Sequence, residues 1–332
     1  MNIAINGFGR IGRHALKVAW KKKGINIVAI NDLTDTNTLA HLLKYDTAYP
    51  DFGAKVSAKE GVLIINGKKI QALAERDPSK LPWKKLKVDV VLECTGLFRD
   101  KEKASMHLTA GAKRVVISAP SKGDDIAGFV RGVNCGSYAG QKIVDNASCT
   151  TNCTAPVVAI LEEAFGIEKA MLTTIHSYTA DQNLQDGPHK DLRRARAAAQ
   201  NMVPTTTGAA AATAKVVPSL DQKFEGIAVR VPTISASLTD ITMLLKKDVT
   251  VEQVNKALKA AAKKKHWQGI FTVTEEPLVS SDFIGNSHSS IADLDLTRVV
   301  GGNLVKVVAW YDNEWGYANR LVEMAEIVGK SL

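Results

Sequence analysis

Cys149, in Ala147-Ser148-Cys149-Thr150-Thr151-Asn152-Cys153, has the setting of a nucleophile. The apolar run Ile143 to Ala147 precedes it, and Ala155 to Leu161 follows as a buried helix with a proline near its start, which puts Cys149 at a helix N-terminus. Unpaired N–H groups and the positive end of the helix dipole lower a thiol's pKa there, so thiolate at neutral pH is expected. A free cysteine is more often a small buried hydrophobe, and Cys153 is read that way. The pair lacks the adjacent histidine or second cysteine pair of a metal centre, and no metal is expected. A thiol nucleophile needs a base. His176 ends the apolar run Ala170 to Ile175, so a strand would carry its imidazole into a site, although pattern alone leaves a satisfied core histidine as an equal alternative.

A second constellation binds phosphate. Gly7-Phe8-Gly9-Arg10-Ile11-Gly12 follows the apolar run Asn2 to Asn6 and opens a helix-compatible stretch. Glycines at that spacing let the chain turn tightly and the backbone approach a pyrophosphate at a helix start. Asp32 ends the second strand-like run, where a carboxylate accepts from ribose hydroxyls. Its charge would oppose a 2′-phosphate, which favours NAD over NADP.

These residues require a frame to hold them. In the first half, Asn2 to Asn6, Ile25 to Asp32, Val88 to Cys94, Arg114 to Ser118 and Ile143 to Ala147 alternate with helix-permissive stretches, as in a βα repeat feeding a parallel sheet. Asn66-Gly67 marks a peripheral hairpin. Beyond residue 148 the longer runs Ala170 to Ile175, Ile227 to Val231, Ile241 to Lys246 and Leu304 to Trp310 predict a mixed or antiparallel sheet. Thr250 and Gln253 form a capping box before a helix with Val251, Val254, Leu258 and Ala261 on one face, and a last helix runs from about Ala318 to Gly329. The expected fold is α/β: a Rossmann-type doubly wound parallel sheet plus an α+β catalytic domain.

At 332 residues the chain is long enough for two such cores. No apolar stretch approaches the ~20 residues of a membrane span. The N-terminus reads directly as strand and turn, without a leader pattern, and four irregularly spaced cysteines make no disulfide framework. A cytoplasmic location is expected. The net charge of +9 suits an anionic partner without choosing one, and its lysines lie in short scattered runs. A nucleic-acid-binding protein is the alternative from another class. No aromatics interleave with the basic residues, so any such binding is expected to be weak and salt-sensitive.

Seven blocks, NGFGRIGR, ASCTTNC, HSYTADQ, HKDLRRARAAA, PTTTGAA, RVPT and WYDNEWGY, stand in this order over nearly the whole chain. Together they closely resemble the glyceraldehyde-3-phosphate dehydrogenases. The resemblance implies an NAD-dependent glycolytic oxidoreductase that makes 1,3-bisphosphoglycerate through a thioester on Cys149, with His176 as base. It also implies a substrate phosphate pocket at Thr179, Arg194 and Arg230, and an inorganic phosphate site at Ser148, Thr150, Thr207 and Gly208. Cofactor contacts are implied at Gly7, Gly9, Arg10, Ile11, Gly12, Asp32, Arg76, Ser118 and, for the nicotinamide carboxamide, Asn313. An Asn313 contact makes the first domain discontinuous, 1–148 plus 313–332, around a catalytic domain of 149–312.

The same resemblance implies a homotetramer, with the segment from Tyr178 to Gln200 near a neighbouring subunit. An erythrose-4-phosphate dehydrogenase is the nearest alternative; HSYTADQ and the intact PTTTG block favour the phosphorylating enzyme. Two departures stand out. Ala211 replaces a common lysine, and the stretch from Asn134 to Lys142 is short.

Overall fold

Alternation of β-branched strands with helices builds the first unit of this computed structural model, which describes residues 1–50 and 52–332. In chain order its elements are β1 (Asn2–Asn6), α1 (Arg10–Trp20), β2 (Asn26–Asn31), α2 (Thr36–Lys44), β3 (Val56–Lys59), β4 (Val62–Ile65), β5 (Lys68–Leu73), β6 (Val90–Glu93), α3 (Lys101–Thr109), β7 (Arg114–Ile117), β8 (Ala127–Gly128) and β9 (Ile143–Asp145). The sheet order is β3-β4-β5-β2-β1-β6-β7-β9-β8. Its pairs from β5 through β9 to β8 are parallel, while β3, β4 and β5 form an antiparallel edge that includes the Asn66-Gly67 hairpin. Both turn residues have positive φ, 48° and 82°. Every residue of β6 is buried, as expected for a parallel strand covered on both faces.

Strand order fixes where a ligand binds. From β1 the chain steps to β2 on one side and later to β6 on the other, so a crevice opens beyond the carboxyl ends of β1 and β6. Gly7 turns there with φ +88°, and a Cβ on it would lie 2.7 Å from the Cys94 carbonyl carbon. A Cβ on Gly12 would lie 2.1 Å from the Gly7 oxygen, so the helix seats on the turn only because both residues are glycine.

The second unit comprises α4 (Cys149–Phe165), β10 (Ile167–Ser177), β11 (Val203–Thr206), α5 (Ala209–Val216), β12 (Phe224–Val231), β13 (Ser237–Leu245), α6 (Val251–Ala262), β14 (Phe271–Thr274), β15 (Ser290–Val300), β16 (Leu304–Tyr311) and the start of α7 (Trp315–Gly329). Its sheet, β11-β12-β10-β13-β16-β15-β14, is mixed: β10 with β12 and β14 with β15 run parallel, the other pairs antiparallel. Helices α4, α5 and α6 pack on it, and α6 carries the expected capping box at Thr250 and Gln253. Burial alternates residue by residue along β13, the signature of a sheet with one covered face.

The compact units are Met1–Phe129, Ser137–Ala147 and Ala318–Leu332 on one side, Val130–Gly136 and Ser148–Tyr317 on the other. Residues 130–136, 148 and 313–317 thus fall outside the first unit, unlike in the sequence-based division. Helix α7 also begins at Trp315, three residues before the expected Ala318. Asp312 causes the early start: its Oδ1 accepts from the N–H groups of Glu314 and Trp315 at 2.9 and 2.8 Å. No helix among the described residues is long and apolar enough to cross a membrane.

Candidate active site and dinucleotide groove

Cys149 is the first residue of α4. Ser148 caps the helix by accepting from the Thr151 N–H at 3.0 Å. Ala147 precedes the cap at φ +52°, a left-handed conformation that costs a residue with a Cβ about 1 kcal/mol or more. The Cys149 sulfur lies 3.5 Å from His176 Nε2.

Strand register brings the other groups to the imidazole. His176 is still within β10 and pairs with Arg230 of β12. Arg230 NH1 is 2.7 Å from His176 Nδ1 and 3.1 Å from the Ser177 carbonyl, and Nδ1 is itself 2.7 Å from that carbonyl. The two short contacts at Nδ1 call for different tautomers. Accepting from Arg230 places the ring hydrogen on Nε2, whereas donating to Ser177 places it on Nδ1 and leaves Nε2 as an acceptor toward sulfur. Behind the pair, the Tyr311 phenol bonds Thr150 and Thr174 at 2.9 Å each, and its ring stands edge-on to His176.

Electrostatics reverses one expectation. Burial pushes the Cys149 thiol up from its ordinary value, against the pull of Arg230 and of hydrogen bonds at Thr150. Burial therefore opposes the thiolate that the helix start favours, at a cysteine that keeps part of its surface exposed. Burial, followed by the Arg230 charge, lowers His176 to about 3. The resting pair is a thiol beside a neutral imidazole. Cys153 is fully buried against Thr239 and Ser290, and burial pushes its thiol up to about 12.

Arg230 is half-buried, and its Nε is buried without a partner among the described residues, a donor arrangement suited to phosphate. Thr179 follows in the turn after β10, where its carbonyl accepts from Gln182 N–H. Arg194 is instead engaged within the protein: it pairs with Asp181, donates to Thr205 Oγ1 at 3.0 Å and to the Thr206 carbonyl at 3.2 Å. Thr207 and Gly208 precede α5, and Thr207 Oγ1 accepts from the Ala209 N–H at 3.2 Å. Ser148 and Thr150 flank Cys149, with their hydroxyls turned to Thr151 and Tyr311. Ala211 is exposed on α5. Asn313 is buried, and its Oδ1 accepts from Ser177 at 3.0 Å.

In the first unit a groove of about 370 Å³ is lined in part by Gly7, Gly9, Asp32, Arg76, Cys94 and Leu97. Asp32 is held rigidly, accepting from Phe8 N–H at 2.7 Å and Thr34 N–H at 3.0 Å. Arg10, Ile11 and Gly12 form the first turn of α1, which lacks both a side-chain cap and an acidic residue. Helices α2, α3, α4 and α6, by contrast, are capped by Asp35, Asp100, Ser148 and Thr250. A Cβ on Gly9 would meet nothing within 4 Å. An uncapped helix start beside open space and a fixed carboxylate fits a dinucleotide's pyrophosphate and ribose. The Arg10 side chain pairs with Asp46 at 2.6 Å, leaving its backbone for that role. Ser118 lies at the end of β7, outside the groove lining, and bonds the Cys94 thiol.

Sequence reading missed the groove's floor. Asn31 donates to Asn6 at 2.7 Å, Asn6 to buried Glu93 at 2.6 Å, and Trp83 to His107 Nδ1 at 3.1 Å. That last bond puts the imidazole hydrogen on Nε2, which donates to Glu93 at 2.9 Å. Residues so far apart in the chain carry no periodic signal, although Asn6 and Glu93, each ending an apolar strand, were visible polar exceptions.

Comparison with known families and proteins agrees with this geometry. Residues 1–101 match the family described as glyceraldehyde 3-phosphate dehydrogenase, NAD binding domain, and 148–313 match its C-terminal domain. Among similar proteins, a glyceraldehyde-3-phosphate dehydrogenase of Thermotoga maritima is 55% identical, covering 99% of both chains. One from Geobacillus stearothermophilus is 53% identical over 99% of this chain and 98% of its own. Glyceraldehyde-3-phosphate dehydrogenase 1 of Bacillus cereus is 54% identical over 97% of each.

The depressed His176 pKa makes a stability prediction. Above about pH 6.5 the imidazole is neutral in the folded and unfolded chain alike; as pH falls from there toward 3, only the unfolded chain takes the proton, so stability falls. Between pH 7 and pH 5 this one group should cost about 2 kcal/mol. Urea unfolding of wild type and His176→Asn at both pH values checks it: the wild type should lose more stability on acidification, and equal losses would contradict the buried neutral imidazole.

Proposed function

The chain belongs to the glyceraldehyde-3-phosphate dehydrogenase family, and from that premise we propose that Cys149 is its nucleophile and His176 its base. It is an NAD-dependent, phosphorylating dehydrogenase that oxidises glyceraldehyde 3-phosphate to 1,3-bisphosphoglycerate in glycolysis. The erythrose-4-phosphate alternative is not favoured by these relatives. The observation that carries the catalytic assignment is the 3.5 Å contact between Cys149 Sγ and His176 Nε2, with Arg230 on the opposite side of the ring.

The substrate's C3 phosphate takes donors from Arg230 and Thr179. With Arg230 drawn to phosphate, His176 Nδ1 donates to the Ser177 carbonyl, and the Nε2 lone pair faces the thiol. His176 takes the thiol proton as sulfur bonds to the aldehyde carbon, then returns it to the new oxyanion, giving a thiohemiacetal. Backbone N–H groups at the start of α4 stabilise the negative oxygen while it lasts. His176 then removes the hydroxyl proton as the carbon loses hydride, which leaves a thioester on Cys149. Bound NAD supplies the hydride acceptor.

The uncapped start of α1, with Gly7, Gly9, Arg10, Ile11 and Gly12, holds the cofactor's pyrophosphate; Asp32 takes the ribose, with Arg76 and Ser118 near the adenosine and Asn313 at the carboxamide. Inorganic phosphate, bound by Ser148, Thr150, Thr207 and Gly208, attacks the thioester carbonyl. The carbon–sulfur bond breaks, acyl phosphate leaves, and His176 is available to reprotonate Cys149. Arg194 reaches substrate phosphate after releasing Asp181.

The assembly is a homotetramer. Its support is apolar surface: Met171, Ile227 and Leu304 are exposed on the second unit's sheet, and Leu184, Leu192 and Met202 on the segment after β10. Four free cysteines, the nucleophile among them, suit the reducing cytoplasm.

Steady-state NADH formation should depend on inorganic phosphate, vanish with Cys149→Ala, and fall on the order of 10² to 10⁴-fold with His176→Asn. Turnover indifferent to phosphate would instead indicate a hydrolytic enzyme. Light scattering should give the mass of four 35.8 kDa chains, and a monomer mass would overturn the assembly.

A further inference from the structure

Asn313 does not stand alone in its pocket. It is 5% exposed and packed beside Ser177 at 0% and Ser237 at 3%. Its Oδ1 is 3.0 Å from the hydroxyls of both serines. The Ser237 oxygen already accepts from the Ser177 N–H at 3.1 Å. These three bonds decide which way the amide faces. A serine hydroxyl has one hydrogen to give, and here the amide oxygen is the acceptor for both. Were the amide turned over, its nitrogen would donate to the two hydroxyls, and the Ser237 hydrogen would have no acceptor among the described residues. With the oxygen fixed inward, Nδ2 is left without a protein partner among the described residues.

We propose that Ser177 and Ser237 are positioning residues that lock the Asn313 amide with its N–H₂ outward, so that the site recognises the carbonyl oxygen of the cofactor's carboxamide and not its N–H₂. The proposal rests on the reading that Asn313 meets the carboxamide. The frame supplies the lock: Ser177 ends β10 beside His176, while Ser237 begins β13 and pairs with Tyr311. The residues that orient the carboxamide donor therefore sit on the strands that hold the base. Ala236 enters β13 at φ +65°, a strained conformation directly before Ser237.

Cofactor analogues test this by equilibrium binding, without turnover. The acetylpyridine analogue of NAD keeps the carbonyl and replaces the amide nitrogen by methyl; ADP-ribose lacks the ring altogether. Wild type should bind the acetylpyridine analogue within about threefold of NAD, since only the carbonyl is read. A loss beyond roughly tenfold would show the amide oxygen facing the ligand and overturn the proposal.

In the Ser177→Ala, Ser237→Ala double variant the amide is free to turn. The ratio of analogue Kd to NAD Kd should then rise roughly three- to tenfold, with ADP-ribose binding and the rate of Cys149 alkylation by iodoacetamide unchanged. An unchanged ratio would mean that the serines do not set the orientation. Asn313→Ala separates the two layers: if it leaves NAD affinity intact, the carboxamide reading itself fails, whereas loss of NAD affinity there with an unchanged ratio in the serine variant overturns the lock alone.

Discussion

A thiol and an imidazole held 3.5 Å apart, with a guanidinium against the far side of the ring, is the constraint on which the chemistry depends. Each member is supplied by a different element: the first residue of α4, the end of β10 and the end of β12. Their meeting requires the parallel register that sets His176 beside Arg230. Burial disfavours charge on both reactive groups, raising the thiol and lowering the imidazole. In the proposed mechanism charge is created during the reaction, when substrate phosphate competes for Arg230, and is not stored beforehand as a thiolate.

The dinucleotide groove depends on a different constraint, backbone clearance. Gly7 and Gly12 permit the turn and the helix to touch, and the resulting helix start is left uncapped in a unit whose α2 and α3 both carry a side-chain cap. Asp32 is fixed by two backbone donors, and the floor by the bonds from Asn31 through Asn6 to Glu93 and His107. A rigid carboxylate and an uncapped helix N-terminus are together a template for a molecule with a ribose beside a pyrophosphate.

Much of this was legible in the sequence. Short apolar and β-branched runs and glycine spacing marked the parallel strands, the hairpin at Asn66-Gly67 and the phosphate turn, because those signals are local. Cys149 and His176 were readable as ends of elements. Their protonation was not, since the burial that raises the thiol and lowers the imidazole is a product of tertiary packing and leaves no local mark in the sequence. Arg194 carried no sign of its partner Asp181, and Asp312 was a readable cap that moves the start of α7 to Trp315. Ser177 and Ser237, buried polar residues at strand ends, became distinctive only once their shared acceptor was in place.

The most direct test of the thioester account is intact-protein and peptide mass spectrometry after mixing enzyme, NAD and glyceraldehyde 3-phosphate without inorganic phosphate. The account predicts a 3-phosphoglyceroyl adduct on the Cys149 peptide, at up to one per chain, that disappears when phosphate is added. NADH released in step with the enzyme but with no adduct on Cys149, or an adduct on another residue, would contradict it.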